Sequence, residues 1–182
     1  MHEEPQAGNM PVTLEDVIAN RDARVERQKA MLAPGKGAVV SFTVNMPGPV
    51  KDTENARSIF HAGLQSVIAC ATTAGWDVLE WQAIFPKTGP EALFLVDAGH
   101  VAVKEAMVVI EESHPLGRLF DLDVLDPKGA PVARKEGGRQ LRACLLCGEP
   151  AAVCGRSRAH SFEELTCRIT AMVADFQAQR SV

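Results

Sequence analysis

The chain has 182 residues, 46% of them apolar and 23% charged, which suits one folded domain with a core of its own. Its net charge of −4 argues against broad, sequence-independent binding to nucleic acid. No apolar run approaches the roughly 20 residues a bilayer span needs, and the opening "MHEEPQAGNMPVTLEDV" lacks an apolar signal core, so a cytoplasmic protein without membrane contact is expected.

Residues 1–12 are polar, contain Pro and Gly, and read as a flexible tail ahead of a single domain over 13–182. "TLEDVIANRDARVERQKAML" follows, with Thr13 and Asp16 spaced as a capping box and a thin apolar stripe at Leu14, Val17, Ile18, Val25 and Leu32. This predicts a surface helix, broken by "APGKG". "AVVSFTVNM" (38–46) is rich in β-branched residues and predicts a strand. The two prolines of "PGPVK" (47–51) force a loop. From 52 to 74, Phe60, Leu64, Val67, Ile68 and Ala71 fall on one helical face, and Gly75 is a stop.

"DVLEWQAIF" (77–85) and "EALFLVD" (91–97) predict two strands around the turn "PKTG". Residues 98–115 predict a second core helix ended by Pro115. "GRLFDLDVLD" (117–126) predicts a fourth strand, and "DPKG" closes it as a type I turn. The order over 38–126 is β-α-β-β-α-β, so the expected fold is α+β with a ferredoxin-like core. After "PVARKE", read as a short strand or loop, come a Cys/Arg-rich segment and a last helix, together 140–182. That helix opens at "SFEEL", where Ser161 and Glu164 form a second capping box, and runs to about Gln179.

Three stretches carry candidate chemistry. Strand alternation turns Asp121 and Asp123 to one side and Phe120, Leu122 and Val124 to the other. The two aspartates are then roughly 6.6 Å apart, two strand rises, close enough to share Mg²⁺; a strand face that simply meets water gives the same pattern. Arg118, just before the pair, offers a fork for phosphate. In "NMPGPVK", Asn45 and Lys51 flank a loop whose amides and ammonium suit phosphate, although a structural strand-to-helix turn explains them equally.

"RACLLCGEPAAVCGRSRAH" (142–160) is the densest stretch. Arg142, Arg156 and Arg158 precede a helix N-terminus, a setting that favours anions. Cys144, Cys147, Cys154 and His160 make a Cys3His set for zinc, or else thiols packed as small hydrophobes. Five cysteines in a chain with no export signal argue against a disulfide framework. His114 in "SHPLG" sits where a helix-terminal histidine would.

As an ordered set, "NMPGPVK", "TGPEAL", "HPLGRLFDLDV", "RACLLC" and "CGRSRAHSFEEL" resemble the holo-acyl-carrier-protein synthase family of citrate lyase, also termed apo-citrate lyase phosphoribosyl-dephospho-CoA transferases, over about residues 13–175. The resemblance implies a nucleotidyltransferase-type reaction. A serine of the citrate lyase acyl-carrier subunit attacks 2′-(5″-triphosphoribosyl)-3′-dephospho-CoA and pyrophosphate leaves. On that basis Asp121 and Asp123 are expected to hold Mg²⁺, one of them also orienting or deprotonating the serine. Arg118, Lys51, Arg156 and Arg158 are expected on the triphosphate, with Asn45 and Arg142 as further substrate contacts and His114 and His160 for proton transfer or phosphate contact. Two rival readings accompany it: a non-catalytic, zinc-stapled module that docks a carrier protein, and the same transfer to another carrier, such as that of malonate decarboxylase.

Overall fold

A computed structural model describes residues 6–133 and 143–180. Helices α1 (Leu14–Leu32), α2 (Glu54–Ala74), α3 (His100–Ser113), α4 (Ala151–Ser157) and α5 (Phe162–Arg180) accompany strands β1 (Ala38–Val44), β2 (Asp77–Ile84), β3 (Glu91–Asp97) and β4 (Phe120–Leu125). The strands form one antiparallel sheet in the order β2-β3-β1-β4. The fold is α+β, and no described helix is long and apolar enough to cross a membrane.

Alternation along the strands sorts the core into two layers. Val40 and Phe42 of β1, Phe94 and Val96 of β3, and Phe120 and Leu122 of β4 join buried residues of α2, α3 and α5 in the larger cluster. Phe42 stacks on Phe60 of α2 with ring centroids 5.3 Å apart and meets Phe120 edge-on at 5.5 Å. On the opposite face Val39, Leu93, Leu95 and Leu125 pack on Met31 and Leu32, the last turn of α1.

The apolar stripe expected for α1 does not hold it down. Leu14, Val17, Ile18 and Val25 are exposed, and only Met31 and Leu32 are buried. Polar contacts do the anchoring instead: Arg24 and Arg27 both bind the buried carboxylate of Glu91, and Gln28 donates to Ser41 at 3.0 Å. The Thr13–Asp16 capping box forms as expected. Residues 8–12, within the stretch read as a tail, lie along the 49–52 loop. There Gly8 N–H donates to Asp52 at 2.9 Å and Val12 N–H to the Pro49 carbonyl. Asp52 is also clamped by Arg57, whose Nε and Nη2 donate to its two oxygens at 2.8 and 2.9 Å. Burial opposes the charge on Asp52, but Arg57 and Gly8 overcome it and hold the carboxyl below its ordinary range.

Two expectations are corrected. Residues Gly117–Leu119 form a 3-10 turn, and the strand starts only at Phe120. The cause is the tight exit from α3: a Cβ on Gly117 would lie 2.6 Å from the carbonyl oxygens of Ile110 and Glu111. The cysteine-rich segment, read without secondary structure, contains α4. The short strand or loop placed at 131–136 falls mostly outside the described residues; within them Pro131 bridges Leu125. β4 is an edge strand, and part of its outward backbone is already occupied. Leu122 N–H donates to buried Glu111 at 2.9 Å, Leu122 C=O accepts from buried Lys104 at 2.9 Å, and Val124 C=O accepts from Val132 at 2.8 Å.

Candidate functional site

A cavity of about 640 Å³ opens where β1 ends and β4 is about to begin. Asn45, whose N–H donates to the Leu119 carbonyl at 2.9 Å, and Gly48 form one wall. Gly48 has φ +77° and lies so close to the Phe162 ring that a Cβ would overlap it at 1.9 Å. The Pro-Gly-Pro loop therefore seats itself against the start of α5, and Phe162 stays half exposed beside the cavity. Arg118 enters from the turn before β4. Arg158 and His160 enter from the segment between α4 and α5. Among the described residues, no aspartate or glutamate lines this cavity.

The far wall is the cysteine segment. Cys147 Sγ lies 3.5 Å from Cys154 Sγ and 3.2 Å from His160 Nε2. With Cys144, these residues place four ligand atoms within 4.8 Å of one another, the one group of three or more such ligands gathered among the described residues. The N–H groups of Leu146 and Cys147 point at the Cys144 sulfur and bring its thiol down to about 7. The Cys154 thiol is pushed up to about 12 by its hydrogen bond with Cys147 and by burial. Cys144, Cys154 and His160 also line the cavity; Cys147 does not. Arg118 donates to the carbonyl of Ala143, the neighbour of Cys144. Arg158 caps α4 in the left-handed region, φ 51° and ψ 41°, its N–H on the Cys154 carbonyl.

The residues expected from the sequence are thus divided. Asn45, Arg118, Arg158 and His160 come together at the cavity. Asp121 and Asp123 stand on the other face of β4, in register with Thr43 and Ser41, on the side that α1 covers. Lys51 donates to the Met46 carbonyl across its own loop, and burial lowers its affinity for a proton. His114 is wedged between Phe120 and Phe176, accepts a hydrogen bond from Leu116 N–H at Nδ1, and is held below its ordinary pKa by burial and by Arg180. Arg156 is exposed on α4 and outside the cavity wall. Arg142 lies outside the described residues. Sequence reasoning missed Gly48 and Phe162. Their signal was a glycine between two prolines and an aromatic next to a capping serine.

A family model described as apo-citrate lyase phosphoribosyl-dephospho-CoA transferase matches residues 12–176. A protein of that name from Escherichia coli O1:K1 / APEC is 40% identical over 179 residues, 98% of each chain. Another of the same name, from Citrobacter koseri, is 40% identical over 170 residues, 93% of each chain.

Proposed function

The chain belongs to the apo-citrate lyase phosphoribosyl-dephospho-CoA transferase family, and from that premise we propose that it attaches the phosphoribosyl-dephospho-CoA group to a serine of the citrate lyase acyl-carrier subunit. The donor in this reading is 2′-(5″-triphosphoribosyl)-3′-dephospho-CoA. The serine oxygen bonds to the α-phosphorus, the bond to the departing pyrophosphate breaks, and the hydroxyl proton passes to a base or to water. Such a transfer asks the protein for positioning and for charge stabilisation more than for covalent participation. The relatives are named as transferases of citrate lyase, which sets aside the non-catalytic module and speaks against a malonate decarboxylase carrier.

The observation that carries the reading is the cavity wall: Arg118, Arg158 and Asn45 converge on a space that no acidic side chain lines among the described residues. Guanidinium forks match phosphate oxygens and hold their charge at any working pH. In this reading the two arginines take the triphosphate, and the departing pyrophosphate draws its stabilisation from them. Phe162 and Leu145 offer an apolar part of the wall to the rest of the donor. The strand order β2-β3-β1-β4, with α2 and α3 as the crossovers, supports reading the core as ferredoxin-like within one transferase domain over 13–182.

Two metals belong to the proposal. The Cys3His group is read as a zinc centre, since a tetrahedral zinc with Zn–S near 2.3 Å sets its donors roughly 3.8 Å apart, and the 3.2 and 3.5 Å separations around Cys147 are close to that spacing. Four protein ligands would leave no open position, so this zinc is structural. Asp121 and Asp123 are read as Mg²⁺ ligands, on the ground that Mg²⁺ takes one or two carboxylates with phosphate oxygens. Bound there, the ion would neutralise charge on the phosphoryl group. The pair faces α1 and not the cavity, so this part of the proposal has its own test.

Incubating the protein with apo-carrier and donor should add the mass of the prosthetic group to the carrier serine. A carrier left unmodified by wild-type protein removes the transferase reading. Folded Asp121→Asn and Asp123→Asn variants that keep the wild-type rate remove the Mg²⁺ role and leave the transfer intact.

A further inference from the structure

The cysteine segment contributes both to the cluster and to the cavity, and the two contributions interleave along the chain. Cys144 follows Ala143, whose carbonyl receives Arg118. Arg158 lies between the ligands Cys154 and His160, and its neighbour Ala159 also donates to the Cys154 carbonyl at 3.1 Å. Each cavity arginine is therefore within one to four residues of a cluster member, either directly or through the carbonyl it grips.

Burial does little to hold the 143–160 segment in place. From 143 to 160 only Cys154 is buried. α4 spans seven residues and has no side-chain N-cap, well short of the roughly 12–15 residues at which an isolated helix persists in water. Arg158 adopts a left-handed backbone that a non-glycine residue rarely takes without being compelled. Cys154 and His160, on either side, fix its entry and exit when they share one ion.

We infer that the Cys3His metal centre is the positioning device for Arg118 and Arg158, so that metal loading and donor binding are coupled. The inference rests on the reading of the cavity as the donor site. It deepens that reading by assigning to Cys147, which touches the cluster and not the cavity, an effect on donor affinity. Coupling of this kind is reciprocal: whatever factor zinc adds to donor affinity, the donor must add to zinc affinity.

The test uses the full-length protein and the donor itself, without carrier, so that binding is measured and no transfer occurs. Donor affinity is read by calorimetry on zinc-loaded protein, chelator-stripped protein, stripped protein reloaded with zinc, and the variants Cys147→Ser, Cys147→His and Cys167→Ser. The expected result is one zinc per loaded chain and donor binding at least tenfold weaker after stripping. Zinc should restore it. Cys147→Ser should match the stripped protein, Cys147→His should recover part of both zinc content and affinity, and Cys167→Ser should match wild type. Zinc affinity should rise with saturating donor by the same factor. Circular dichroism showing an unchanged core in stripped protein and in Cys147→Ser separates lost positioning from lost folding; if the core unfolds in both, positioning is overturned in favour of a general structural role. Protein that takes up no zinc, or that binds donor equally with and without it, overturns the inference. Zinc-loaded wild type that fails to bind donor overturns instead the reading of the cavity, and the inference falls with it.

Discussion

Residues 38–125 and residues 143–160 are held together by different means. In the first region Val40, Phe42, Ile59, Phe60 and Phe94 are each 0% exposed, and strand register with helix packing repeats the same solution across the sheet. In the second, one cysteine is buried, the only helix is two turns long, and four metal-type ligands gather within 4.8 Å. Burial spreads stability over many side chains, each replaceable in part. A metal ion held by the cluster would concentrate it in four atoms, and metal-ligand free energy would then count directly as folding free energy. The cavity sits on the seam, taking Asn45, Gly48 and Arg118 from the first kind of structure and Arg158 and His160 from the second.

Substitutions can sharpen or break that contrast. The largest effect is expected from Phe42→Ala, which removes a ring packed between Phe60 and Phe120; about 3–5 kcal/mol of stability should be lost, seen in urea unfolding. A loss under 1 kcal/mol would deny that the sheet region depends on its core. Arg57→Ala comes next, because it leaves the Asp52 carboxylate buried without its partner. About 3 kcal/mol is expected at neutral pH. The Asp52 carboxyl is depressed in the fold, so the stabilisation is present above its unfolded value of about 3.9 and is lost as pH falls through the lower folded value. The gap between variant and wild type should therefore close only below about pH 4.

Arg118→Ala belongs to the seam. Removing one charged donor to a developing negative charge costs about 10²–10³-fold in turnover, while melting should move by no more than a few degrees. A variant that loses stability and keeps its rate would return Arg118 to the structural side. Smallest is Thr13→Ala, which breaks the capping box of α1. About 1 kcal/mol of stability is expected to go, with no change in transfer rate.

What could be read from the sequence follows the same division. The β-α-β-β-α-β order over 38–125 was legible because Val39, Val40 and Phe42 alternate and Phe60, Leu64 and Val67 keep helical spacing; buried surfaces leave a period. "AAVCGRS" has no period to leave, since its one buried residue is Cys154, and α4 was missed. α1 was legible as a surface helix from its thin stripe and many charges, but its anchor was not: Glu91 lies 67 and 64 residues beyond the Arg24 and Arg27 that bind it. The cavity is assembled from 45–48, 118–119 and 143–165, three segments that only folding brings together. The D-x-D pair was conspicuous because it is local, and strand alternation carried it to the face away from that cavity.

The occupied backbone of β4 has a consequence for assembly. An extended segment offered by another protein finds the N–H and C=O of Leu122 and the C=O of Val124 already taken by Glu111, Lys104 and Val132. The opposite border, β2, is interrupted by a bulge between Val78 and Glu80, so an incoming strand would lose register there. Strand addition is thus disfavoured at both borders of the sheet, and a partner protein is expected to be met by side chains and loops instead.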